Sequence, residues 1–94
     1  MGSCDQFDWD DHNREHLAAH GLSPAEVEQV FANGYLHSDF DSEAGEPRWT
    51  AVGITNSGQV LVVVHTVRGE AIRPITGWDA DDETSQLYFE QMGQ

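Results

Sequence analysis

Residues 48–76 read RWTAVGITNSGQVLVVVHTVRGEAIRPIT, and they set the architecture of the chain. Trp49 to Ile54 and Val60 to Val67 are apolar runs rich in β-branched residues, with Asn56-Ser57-Gly58 between them. Arg68-Gly69-Glu70 turns the chain again before a third run, Ala71 to Thr76. Runs of this length joined by short Gly-containing turns specify an antiparallel meander. Three of the four basic residues of the protein, Arg48, Arg68 and Arg73, fall inside it.

On the N-terminal side, Phe7-Asp8-Trp9-Asp10 sets two aromatics at i and i+2, as in a short extended lead-in. Asp10 suits an N-cap for a helix from Asp11 to about His20, with Asp11 and Glu15 where the helix dipole favours acids. Gly21 then fits the left-handed position after the helix end. Ser23-Pro24-Ala25-Glu26 starts a second helix, with a Ser cap, Pro at the first position and Glu three residues after the cap. Val27, Val30 and Phe31 supply its apolar stripe, and Asn33-Gly34 ends it. Tyr35 to Phe40 reads as a first short strand, and 41–47 (DSEAGEP) as a polar loop. A last helix runs from about Asp81 to Met92, with Leu87, Tyr88 and Met92 toward the core. Residues 1–6 are expected to fray, and 7–94 form a single domain. The fold class is α+β: two N-terminal helices, a four-stranded antiparallel meander sheet and a C-terminal helix, with the helices on one face of the sheet.

The formal net charge is −13, from four Arg, no Lys and seventeen Asp plus Glu. Such a balance by itself opposes nucleic-acid binding, because affinity for phosphate comes largely from Lys and Arg. The charge is unevenly spread. Residues 1–47 carry eleven acids against Arg14, and 78–94 carry five acids and no base. Residues 48–77 carry three Arg against Glu70, so the expected sheet is the one part that is not acidic. Acids that solvate helix faces, or a surface adapted to high internal salt, account for the rest. The single cysteine, Cys4, allows no disulfide framework within one chain. No apolar run is long enough to span a membrane, and a cytoplasmic location is the default.

Four stretches, taken in order, resemble the BrnT-type toxins of toxin–antitoxin pairs. Phe7-Asp8-Trp9-Asp10 is similar to the family's opening F-x-W-D. Asn13, His16, His20 and Gly21 are similar to its first helix end, and Leu22 to Glu28 to its second helix start. Arg48 with Gly53, the valine run before His65-Thr66, and Ile72-Arg73-Pro74-Ile75-Thr76 are similar to its strands. The resemblance covers roughly residues 7–90 and implies a RelE-like fold and ribonuclease activity. It also implies a cognate antitoxin, of which a ribbon-helix-helix protein is one form, and RNA as substrate. The last helix departs from the pattern: Trp78 stands where an Arg is expected, Thr84 stands where a Glu is expected, and the segment is acidic instead of basic. Tyr88 keeps its place.

Metal-free RNA cleavage needs a base for the ribose 2′-OH, stabilisation of the phosphate's developing charge, and an acid for the 5′-oxygen. Arg48 and Arg73, on different strands, are the expected phosphate clamp, since guanidinium grips phosphate oxygens bidentately. Ion pairs with acids such as Glu46 and Glu70 are the structural alternative. His65 is the candidate general base or acid. Strand alternation groups it with Leu61, Val63 and Val67, but both faces of the run are apolar, so periodicity leaves its direction open. Tyr88 is the remaining candidate, to protonate a leaving group or stack on a base, against a plain role in the core. His12, His16 and His20 fall at i, i+4 and i+8 on one side of a helix. Two of them could grip Zn²⁺ or Ni²⁺, but no Cys joins them, so packing and capping are the expected roles of His16 and His20 and no metal or cofactor is expected. A non-catalytic acidic binding module derived from the same fold is the alternative function, and an acidic mimic of nucleic acid is a third.

Overall fold

The computed structural model describes residues 6–41 and 48–92. The elements run β1 (Gln6–Phe7), α1 (Asp11–Ala18), α2 (Pro24–Ala32), β2 (Tyr35–Asp41), β3 (Arg48–Ile54), β4 (Val60–Arg68), β5 (Ala71–Asp79) and α3 (Asp82–Gln91). Both N-terminal helices begin at the expected caps. The side chains of Asp10 and Ser23 accept from the backbone N–H groups of Asn13 and Glu26, and each forms a capping box. Helix α1 closes at Ala18, two residues before the expected His20, and Gly21 takes the left-handed conformation at φ +80°. The expected loop at 42–47, and the expected fraying of residues 1–5, lie outside the described residues.

Strands β2 to β5 pair antiparallel in sequence order, as the meander requires. The four-stranded antiparallel sheet is nevertheless a five-stranded mixed one, in the order β1-β5-β4-β3-β2. The extra strand, β1, pairs parallel to β5 through Gln6 with Ala71 and Phe7 with Ile72. Gln6 therefore belongs to the sheet and not to a frayed terminus. A two-residue strand carries no alternation of its own, so the sequence had no period from which to announce it.

The helices do not share one face. Leu17, Leu22, Val27, Val30 and Phe31 of the α1–α2 region pack on Ala51, Leu61 and Val63. Tyr88 of α3 packs on Val52, Val60 and Val62, the alternate residues of the same strands. Successive strand residues point to opposite faces, so β4 is apolar on both sides because it is covered on both sides. Gly53 lets α2 come close: a Cβ there would stand 2.7 Å from Val30 Cγ1. Helix α3 corrects a second expectation. Leu87 is 50% exposed and Met92 is 37% exposed, while Tyr88 is 4% exposed and its hydroxyl donates to the Gly34 carbonyl at 3.2 Å. One helical step turns a side chain by about 100°, so burying Tyr88 carries Leu87 toward solvent.

Strand β5 contains one further irregularity, which decides the site. Val64 pairs with Thr76 but His65 pairs with Pro74, so Ile75 is an extra residue on β5. Proline has no N–H for the ladder and suits such a bulge. The bulge reverses the alternation of the residues before it. Arg73 then lies opposite Thr66, on the face of Arg48, instead of opposite Val67 on the face of His65.

Candidate active site

A cavity of about 330 Å³ opens at the end of the sheet near the β4–β5 turn. Arg48 of β3, Thr66 and Arg68 of β4, and Arg73, Pro74 and Ile75 of β5 line it from the sheet. His12, Asn13 and His16 of α1 line it from the side. Three of the four basic residues of a chain with net charge −13 thus converge on one cavity.

Asn13 builds this arrangement. It is buried, and its Nδ2 donates to the carbonyls of Asp8 (3.0 Å) and Pro74 (2.9 Å). Its Oδ1 accepts from Asp10 N at 2.8 Å. The side chain therefore ties the first turn of α1 to the bulge in β5. His12 and His16, one residue before it and three after, are set at the mouth of the cavity. Their spacing with His20 offers either of them as half of a metal pair, and His16 as a packing or capping residue. The His16 and His20 rings stand 6.1 Å apart, and among the described residues no three His, Cys, Asp or Glu side chains form a ligand group.

The arginines differ in their surroundings. Arg73 is 13% exposed and pairs with Asp10 at 3.0 Å and Asp8 at 3.6 Å. The Asn13 backbone N–H and, after it, the Arg73 guanidinium hold the Asp10 carboxyl below its ordinary value. Arg73 thus forms ion pairs, but with the acids before α1 and not with Glu70; Glu46 lies outside the described residues. Among the described residues no carboxylate pairs with Arg48 or Arg68. Arg48 Nε is buried without a hydrogen-bond partner. A buried donor left unmade is expensive to keep, and among the described residues no carboxylate offsets its charge. An anion in the cavity would meet both needs.

The other two candidates from the sequence are elsewhere. His65 is on the opposite face, 3% exposed, among Phe31, Tyr35, His37 and Trp49. Burial lowers its pKa to about 4, the Val63 backbone opposing and His37 adding to the shift, so its ring is neutral at neutral pH. The unfolded chain, with His near 6.5, binds a proton that the folded chain refuses, so stability is full above about pH 6.5 and falls as pH drops toward 4. The urea midpoint of the protein should decline across that window, and that of a His65→Phe variant should decline less; equal slopes would remove His65 as the cause. Tyr88 lies under α3 with its hydroxyl on Gly34, away from the arginines. The structure therefore brings Arg48 and Arg73 together and leaves His65 and Tyr88 apart from them. It adds Arg68, His12 and His16, of which the i, i+4 spacing of the two histidines was the signal.

Arginines gathered over one face of the sheet, with histidines at the rim, offer the charged donors that suit phosphate oxygens. A family model described as the ribonuclease toxin BrnT of type II toxin–antitoxin systems matches residues 9–83. The chain belongs to that family, whose members are the toxin halves of systems that pair a toxin with a protein antitoxin. No curated protein matches the chain. Among the described residues no helix is long and apolar enough to cross a membrane.

Proposed function

We propose that the protein is a metal-independent endoribonuclease whose active site is the arginine cavity. The carrying observation is the convergence of Arg48, Arg68 and Arg73 with His12 and His16, in a chain that is otherwise acidic. Arg48 and Arg68 grip the non-bridging oxygens of the scissile phosphate and offset the charge that builds on them. Arg73, held by Asp8 and Asp10, orders the floor of the site and adds its remaining donors. Histidine both takes and gives a proton near neutral pH. One of His12 and His16 removes the 2′-OH proton as O2′ attacks phosphorus; the other delivers a proton to O5′ as the P–O5′ bond breaks. The products are a 2′,3′-cyclic phosphate and a 5′-hydroxyl. His65 and Tyr88 take no part in these transfers.

The test is cleavage of a mixed single-stranded RNA by the purified protein with and without EDTA, at low and at molar KCl. Fragments ending in 2′,3′-cyclic phosphate, formed equally in EDTA, are the expected result. Loss of cleavage in EDTA, or ends carrying 3′-hydroxyls, would reject the mechanism. Cleavage that needs molar salt would explain the acidic surface as adaptation, because salt screens its repulsion of RNA.

A cognate antitoxin, of ribbon-helix-helix type, would silence the toxin by covering the arginine cavity. The outer side of α3 favours a second reading, a binding module without catalysis. Leu87 is half exposed there, with Glu83 and Glu90 beside it. An apolar side chain rimmed by acids suits a basic protein partner better than it suits RNA. Intact RNA under every condition above would favour this reading.

A further inference from the structure

Behind the arginine cavity, on the other face of the sheet, lies a second cavity of about 240 Å³. Tyr35 and His37 of β2, Trp49 of β3, His65 and Val67 of β4, and Ile72 of β5 line it. The two cavities interleave along the strands. Arg48 precedes Trp49, Thr66 lies between His65 and Val67, and Ile72 precedes Arg73. Neighbours in a strand point to opposite faces, so the cavities stand back to back at the end of the sheet that the β4–β5 turn closes.

The second cavity is not packed like an ordinary aromatic core. The rings of His37, Trp49 and His65 all lie within 30° of parallel, with centroids 5.5 to 6.3 Å apart. Phe31 meets His65 edge-on behind them, at 5.0 Å and 87°. Flat faces are thus presented together. His37 is exposed, and Val67 at the mouth is 49% exposed. At the base, His65 is 97% withdrawn from solvent, and its buried Nδ1 has no hydrogen-bond partner. Held neutral, this ring keeps its Nδ1 out of reach of solvent beneath a wall of parallel rings. An apolar ligand would leave that atom unsatisfied, and a charged one would lose its hydration with no countercharge to replace it.

We infer that the ring-lined cavity is a subsite for a nucleobase of the RNA strand whose phosphate the arginines hold. The inference rests on the ribonuclease reading and deepens it. A nucleobase offers the two things the cavity lacks: a flat face for the rings of His37 and Trp49, and an edge group for His65 Nδ1. The strand would cross the sheet end at the β4–β5 turn, its phosphates on one face and a base turned in on the other. Selection of the base at this position would then fall to the edge that His65 reads, since stacking alone accepts every base.

Binding separates this subsite from the chemistry. Hexanucleotides of 2′-O-methyl A, C, G or U cannot be cleaved, and an abasic hexamer keeps the phosphates alone. Their affinities would be measured by fluorescence anisotropy against the native protein, a His37→Ala variant and an Arg48→Met variant. His37 is exposed, so its removal does not put the fold at issue. At least one of the four should bind the native protein about tenfold or more tighter than the abasic hexamer, the scale of one base–aromatic stack. His37→Ala should erase that gain, while Arg48→Met should weaken the base-bearing and abasic hexamers alike. If the abasic hexamer binds as well as the other four, or if the gain survives His37→Ala, the subsite is refuted and the arginine site stands. Absence of binding to all five hexamers would overturn the RNA reading, and this inference with it.

Discussion

Replacing Arg48 by Met should reduce RNA cleavage by about 10²- to 10³-fold and leave the protein at least as stable as before. The first half follows from its place in the site. Arg48 carries a guanidinium into the cavity that no described carboxylate neutralises, and removing one fixed donor to a developing negative charge typically costs that much in rate. The second half follows from the unpartnered Nε. The folded protein bears the desolvation of that buried group with no hydrogen bond in return, and Met keeps most of the apolar stem without the polar atom. Thermal denaturation should show a melting temperature unchanged or raised by a few degrees. Retained cleavage, or a fall in melting temperature large enough to explain lost cleavage, would remove Arg48 from the clamp. Arg73 makes a poorer test, because its loss would strip Asp8 and Asp10 of their partner and disturb the start of α1 as well as the site.

The second large effect is structural. Tyr88→Ala should cost about 3 kcal/mol or more, and Leu87→Ala less than about 0.5 kcal/mol. Tyr88 is the one buried residue of α3. Its ring fills the cluster of Val52, Val60 and Val62, and its hydroxyl meets the Gly34 carbonyl. With Ala there, little holds the helix to the sheet, so amide exchange across 82–91 should accelerate before the rest of the protein responds. Leu87 is half exposed, and its truncation removes little buried surface. A larger loss from Leu87→Ala than from Tyr88→Ala, read from urea midpoints, would show that α3 docks on its other side.

The two effects mark a division in what could be read from the chain. Helix starts were legible at Asp10 and Ser23, because a cap and its partner lie within three residues of each other. The hairpin turns were legible for the same local reason: β-branched runs and Gly58 and Gly69, both at positive φ, bound β3, β4 and β5. The two apolar faces of β4 were visible as well. Their meaning, a different helix layer on each side, was not, because the sequence does not say where a distant helix will dock.

The site divides in the same way. Local composition singled out Arg48 and Arg73 as the cations of a sheet in an acidic chain. Whether they share a face depended on Ile75, whose extra step in β5 reverses the alternation and sets Arg73 opposite Thr66. A bulge is a property of two paired strands, and neither strand displays it alone. His65 was singled out for its chemistry, but burial among rings makes it a neutral wall residue. The spacing of His12 and His16 offered a metal pair, or for His16 a packing or capping role; the bond from Asn13 to Pro74, sixty-one residues on, is what carries both to the arginines. Caps, turns and periodicities act over a few residues and leave their mark in order along the chain. Register, facing and the meeting of charges arise between elements far apart in sequence, and packing settles them.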